Sequence, residues 1–220
     1  MKILFLRVGI DRGCGGTLSP LFEDGTFEYV PIPDKEDMVA PDRGVRYNNL
    51  LCRHGGTMER YAHQNCYAHY DPEFESMTYG EPNAPKRNQL LSLNHGDYLV
   101  FYAGFQGEQI EKGACFVIGY FVVNAVYLPP IDEAWPPQSL AHLHRNAHFR
   151  RKSAEASLVV VEGDSRSSKL LNGAKQLSDN RQIVLPAVQE IVGFGGSVKR
   201  AVGRWVLPSH CEKTVEWLTA

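Results

Sequence analysis

"GDYLVFYAGFQGEQIEKGACFVIGYFVVNAVYL", residues 96–128, decides the fold. Its first part opens on a Gly-Asp turn and sets Tyr98, Val100 and Tyr102 against Leu99, Phe101 and Ala103. Successive side chains of a strand point to opposite faces, so this alternation is a strand with two different surfaces. From Ala114 to Leu128 the chain is apolar almost throughout, as expected of a central strand buried on both faces. Gly119 within it marks a bulge or bend in a curved sheet. The two runs are expected to pair as neighbours across the polar connection "GFQGEQIEKG".

Further strands are expected at residues 2–10 and 156–164, both short, branched and apolar, and "GTFEYVPIP" (25–33) alternates before its prolines stop pairing. "SSKLLNGAKQLS" (167–178) reads as a helix with Leu170, Leu171, Ala174 and Leu177 on one face. Residues 138–152 can hold a short helix, "RQIVLPAVQEIVGF" is strand-like up to Pro186 and helical after it, and "HCEKTVEWLTA" fits a terminal amphipathic helix. Residues 52–87 are irregular and rich in His, Tyr, Pro and Gly, a composition that suits a functional segment. The proline-rich stretch 129–137 reads as a loop. The sum is one α+β domain over residues 1–220, a curved mixed β-sheet or barrel with a few flanking helices.

With 23 basic and 25 acidic residues, the net charge of −2 offers no whole-molecule attraction to nucleic acid or an anionic membrane. Polyanion binding would have to be local. No apolar run is long enough for a membrane helix, and the N-terminus does not read as a signal peptide. The odd number of cysteines, five, without regular spacing argues against a disulfide framework and for the cytoplasm.

Chemistry is expected first at "DRGCGGTLSP" (11–20), which ends the first strand. It matches neither phosphate-loop pattern. It reads as a glycine-enabled turn, with amides lining a ligand pocket or a nucleophilic Cys14 as alternatives, and Asp11 as its functional member. Cys52, His54, His63, Cys66 and His69 offer soft ligands within 18 residues, but without a CxxC knuckle, so a metal there stays an open question. "HLHRNAH" (142–148) is a weaker source of ligands. Arg145, Arg150, Arg151 and Lys152 form the best local polyanion footprint, with Phe149, Tyr102 and Phe105 as rings on which a base could stack. "EGDSRSSK" offers amides, hydroxyls and Arg166 to an anion, or serines to cap a helix. No hydrolase elbow, zincin helix or serine triad occurs.

Taken together, residues 7–33, "HYDPEFESMTYGEP" (69–82), "LNHGDYLVFYAGF" (93–105), "FVIGYFVV" (116–123) and "HFRRKS…LVVVEGDSRSSKLL" resemble the nucleotide modification associated domain family number 3. The resemblance covers most of the chain. It implies a setting in systems that modify nucleobases, often in DNA, and pocket residues at Asp11, Cys14, Arg46, Tyr47, Asp71, Tyr79 and Tyr102. The "GDYLVFY…FVIGYF" pair also resembles the central strands of PUA-like barrels, including EVE and ASCH domains, which hold modified bases. The expected function is binding of a modified nucleobase or nucleotide, with Arg150, Arg151 and Arg166 on phosphate. The alternative is an enzyme that makes or edits a modified base or its precursor through Asp11 and Cys14, its cofactors unknown. A third is an interaction subunit of a modification complex. Expected partners are a modified nucleotide or nucleic acid, DNA first, and other modification-system proteins, with no membrane.

Overall fold

A computed structural model describes residues 1–62, 66–108, 110, 112–129, 136–200 and 202–220. Its strands are β1 (Ile3–Arg7), β2 (Ser19–Pro20), β3 (Ile32–Asp34), β4 (Tyr67–His69), β5 (Thr78–Glu81), β6 (Tyr98–Gln106), β7 (Cys115–Tyr127), β8 (Val159–Gly163), β9 (Lys169–Gln176) and β10 (Arg204–Trp205). The α-helices are α1 (Ala84–Leu90), α2 (Pro186–Val192) and α3 (Cys211–Thr219). An eight-stranded sheet runs β10-β1-β6-β7-β8-β5, with β2 added to β6 and β9 to β7. β1 and β2 run parallel to β6, and every other pairing is antiparallel. β3 and β4 form a separate antiparallel pair.

The two-sided reading of residues 96–128 holds. Leu99, Phe101, Ala103 and Phe105 enter one hydrophobic cluster with Leu4, Leu6, Phe116 and Phe121. Their neighbours Val100 and Tyr102 enter a second with Ile3, Phe5 and Val117. α2 and α3 supply Val188, Val192, Cys211 and Leu218 to that second side. Phe27, Tyr29, Phe74 and Tyr79 cover the first. Burial on both faces explains why β6 and β7 carry so few polar residues.

The sheet is not closed into a barrel; the ordered path ends at β10 and β5. Residues 167–178 are also not a helix, since Lys169–Gln176 is the strand β9. Leu170 packs on the first cluster and Leu171 lies in the second, so adjacent leucines face opposite sides. A strand with apolar side chains on both faces loses its alternation and imitates the apolar spacing of a helix. Of "GTFEYVPIP" only its end, from Ile32, joins a strand. Residues 138–150 form short 3-10 turns, Gln138–Arg145 and Ala147–Arg150. α2 and α3 lie where the sequence places helices. Residues 130–135 of the expected proline loop lie outside the described residues.

The expected irregularity at Gly119 is present. Phe101 pairs with Gly119 and Tyr102 with Val117, leaving Ile118 as the extra residue of a bulge. A β-carbon on Gly119 would stand 2.6 Å from the Lys169 carbonyl oxygen and 2.7 Å from the Phe74 ring. Neither neighbour is the far end of a flexible side chain. Gly119→Ala is therefore expected to destabilise the fold by about 1–3 kcal/mol through overpacking, read as a lower urea midpoint; an unchanged midpoint would contradict this packing.

Candidate functional site

β3 and β4 place the first half of the site. Ile32 pairs with His69 and Asp34 with Tyr67, so Asp34 and His69 share one face as diagonal neighbours. His69 Nδ1 lies 2.8 Å from Asp34 Oδ2, and both side chains are buried. Two residues further along the extended chain, Asp71 turns to the same side while Tyr70 packs toward the first cluster. Asp71 Oδ1 accepts hydrogen bonds from the Gly80 amide at 3.0 Å and from Asn146 Nδ2 at 2.7 Å.

His148 completes the group from a 3-10 turn capped by Asn146, whose Oδ1 accepts from the His148 amide at 3.1 Å. The His148 ring lies against β5 at Gly80. A β-carbon there would come within 2.3 Å of His148 Cδ2, so only glycine admits the ring. His148 Nδ1 is bound to Glu155, and Arg151 reaches both Glu155 and, at 2.9 Å, Asp34. The two imidazoles meet edge to face, with centroids 4.6 Å apart. His69 Nε2 and His148 Nε2 lie 4.0 and 3.6 Å from Asp71 Oδ2.

Burial works against charge on these groups, and their partners outweigh it. Burial drives His148 down, but hydrogen bonds and attraction from Asp71 and Glu155 carry it up to about 9. Burial raises the Asp34 carboxyl, while His69 and Arg151 hold it below the ordinary carboxylate range. Glu155 is likewise raised by burial and lowered further by His148 and Arg151. The group is a charged network in which each imidazole is fixed by a carboxylate behind it.

This network forms one wall of a cleft of about 270 Å³, also bordered by Arg7, Asp11, Cys14, Tyr79, Glu81 and Lys86. Lys86 pairs with Glu81 at 2.6 Å, and Arg7 with Asp11 at 3.6 Å. A second hollow, of about 370 Å³, also has Arg7 and Asp11 on its wall. Its remaining charged groups are all cationic: Arg12, Lys112, Arg181 and Lys199.

The opening loop is a turn at the rim of both hollows. Asp11 Oδ1 accepts from the Gly13 and Cys14 amides, each at 2.8 Å, and Gly15 and Gly16 adopt φ of +99° and +79°. Burial, then the carboxylates of Asp11 and Asp34, push the Cys14 thiol above its ordinary range. Among the described residues no cation offsets this rise.

Of the residues expected at a site, the cleft brings together Asp11, Cys14, Asp71 and Tyr79, and it adds Arg151. The others lie elsewhere. Tyr102 and Phe105 are fully buried on opposite faces of the sheet. Tyr47 is buried in a third cluster, its hydroxyl donating to the Pro31 carbonyl at 2.7 Å. Arg46 lies over the Tyr67 ring and pairs with Glu36 at 2.9 Å. Arg150 donates to the Arg145 carbonyl at 2.7 Å, and Arg166 is exposed in the β8–β9 turn.

The expected Cys/His cluster does not converge among the described residues. His54 meets Thr26 at 2.8 Å and packs on Phe22, Cys52 lies in the third cluster, and His63 lies outside the described residues. All five cysteines are free. Among the described residues, His69, Asp71 and His148 are the group of three that could hold a metal ion, with donor atoms within 4.8 Å of one another. Sequence reasoning did not join His69 and Asp71 to each other or to His148. The available signal was the His69-x-Asp71 spacing, which puts both on one side of an extended segment.

Fold and cleft together define an α+β protein with a polar cleft beside the end of its first strand. The chain belongs to the family described as nucleotide modification associated domain 3, which matches residues 2–212. No curated protein and no solved structure matches it. Among the described residues no helix is long and apolar enough to cross a membrane.

The state of Cys14 is open to direct measurement. Because the thiolate is the reactive form, a raised thiol loses reactivity at neutral pH and gains it as pH climbs. Iodoacetamide labelling of Cys14, followed by peptide mass spectrometry, should run at least about threefold slower than free cysteine at pH 7.5. It should still be rising at pH 9. A rate that levels off below pH 8 would contradict the assigned environment.

Proposed function

We propose that the chain binds a modified nucleobase at the level of the nucleotide, the heterocycle in the cleft and the phosphate in the adjoining basic hollow. One observation carries this reading: the two hollows meet at Arg7 and Asp11, and the second is lined by Arg12, Lys112, Arg181 and Lys199. At about 270 Å³ the cleft alone is small beside the roughly 300–1,000 Å³ of typical ligand sites. It suits a base, with the rest of a nucleotide extending past Arg7. Family membership supports the ligand class. In this reading the phosphate contacts move from Arg150, Arg151 and Arg166 to the basic hollow, because Arg151 already holds Asp34 and Glu155.

The base would be held by hydrogen bonds more than by stacking. The cleft wall offers the Tyr79 ring and two imidazoles, with Asp71, Glu81 and Asn83 as polar partners. Those groups suit the donor and acceptor edge of a heterocycle. DNA is the first candidate source of the base.

A second reading, an enzyme that makes or edits a modified base, is favoured by the titratable groups converging on the same wall. Asp11, His69, Asp71 and His148 all border the cleft. Following products by mass spectrometry after incubation with nucleotides would separate turnover from binding alone.

Calorimetry with modified and unmodified nucleosides, nucleotides and single-stranded oligonucleotides tests the proposal. A phosphorylated ligand should bind, its nucleoside more weakly, and Arg12→Glu with Lys199→Glu should weaken binding by about tenfold or more while steepening nothing in the salt response. Silence of the native chain toward the whole panel, or full affinity in the double variant, would remove the assignment.

A further inference from the structure

We infer that His69, Asp71 and His148 form a mononuclear site for a divalent transition-metal ion, its open positions facing the cleft. The inference goes beyond nucleotide binding and stands or falls separately from it.

The first argument is donor geometry. Both imidazoles present Nε2 to the same carboxylate oxygen, at 3.6 and 4.0 Å, and all three donors lie within 4.8 Å of one another. An ion bound at roughly 2.0–2.2 Å spaces its donors at roughly 3.0–3.4 Å in tetrahedral to octahedral arrangements. The side chains would close around an ion by roughly 0.2–1.8 Å per donor pair. Asp71 is prepared for this, because Asn146 occupies Oδ1 at 2.7 Å while Oδ2, which shares the Gly80 amide at 3.2 Å, faces the histidines.

The second argument is the support behind the donors. A metal-bound histidine ordinarily gives its other ring nitrogen to a carboxylate or carbonyl, which fixes the tautomer and raises ligand basicity. Here both histidines meet that condition: His69 Nδ1 faces Asp34, and His148 Nδ1 faces Glu155. Arg151 ties the two carboxylates together. A lone structural histidine needs one partner. Two imidazoles held in this way, with their remaining nitrogens aimed at one oxygen, form a ligand set.

The third argument is charge. Once an ion displaces the proton that His148 otherwise shares with its carboxylates, the imidazoles are neutral and Asp34, Asp71 and Glu155 carry three negative charges against the single Arg151 guanidinium. One divalent cation cancels the excess of two. The remaining charges on the cleft wall already pair among themselves, Lys86 with Glu81 and Arg7 with Asp11. Buried charge without compensation is strongly unfavourable.

Two nitrogens and one carboxylate favour a transition ion such as zinc, iron(II) or manganese(II) over magnesium or calcium, which prefer all-oxygen sets. Three protein donors leave positions for water and for a ligand in the cleft. An ion there would polarise a bound oxygen and lower the pKa of its water, which would give the cleft a nucleophile at neutral pH.

The test uses the full chain, stripped with a chelator and titrated by calorimetry with zinc, manganese(II), anaerobic iron(II) and magnesium. Zinc should bind as one equivalent with micromolar affinity or better, and magnesium at least about a hundredfold more weakly. Asp71→Asn should cost about a hundredfold or more in zinc affinity, and Asp34→Asn, which supplies no ligating atom but holds His69 Nδ1, about tenfold or more. Histidine side-chain nitrogen NMR of the native chain guards against variants that fail to fold. Zinc should shift Nε2 of His69 and His148 and leave the other six of the eight histidines in place. No saturable zinc binding, magnesium binding as tightly as zinc, shifts at other histidines, or full affinity in folded Asp71→Asn would each overturn the site.

Discussion

Burial of the β1-β6-β7 ribbon on both faces is the constraint from which the rest of the molecule follows. Two apolar clusters, one on each side, take up the side chains of residues 3–6, 99–103 and 115–121. The ribbon therefore has no room for polar chemistry along its length. Functional groups collect where it ends, at Arg7 and the loop after β1, and on the small β3–β4 pair beside it.

At that edge a second organising element takes over, a charged network centred on Arg151. The guanidinium joins Asp34 of β3 to Glu155 ahead of β8, and each carboxylate orients one histidine. Four segments distant in sequence are thereby fixed to one another: residues 32–34, 67–71, 78–81 and 146–155. Gly80 contributes by absence of a side chain, since the His148 ring occupies the space a β-carbon would take. A buried network of this kind is favourable only when its members are satisfied. That condition links the stability of this edge to whatever occupies the space between His69, Asp71 and His148.

Much of the sheet was legible because local pattern and burial agree there. Residues 96–128 alternate cleanly in β6, and Gly119 interrupts an otherwise apolar β7 where the bulge falls. β9 was misread because Leu170 and Leu171 serve opposite clusters, which erases the period of two. Three of the aromatic side chains expected to grip a base lie in the core instead of on the cleft wall. Tyr47, Tyr102 and Phe105 are core residues, and a ring in a core and a ring in a pocket look the same in sequence. The opening loop read correctly as a turn, with Asp11 and Cys14 on the cleft wall. The histidine pair was out of reach. His69 and His148 are 79 positions apart, and their meeting depends on tertiary pairing that no local spacing records.

The central proposal is that the cleft beside Arg7 is where this protein meets its ligands, with an ion at its inner wall. An anomalous difference map from crystals soaked with manganese(II) and a nucleotide addresses that claim most directly. It should place one strong peak among His69 Nε2, His148 Nε2 and Asp71 Oδ2, with nucleotide density running from there past Arg7 toward Lys199. A peak bound instead at Cys52 or Cys66, or nucleotide density on another face with this cleft holding only water, would contradict it.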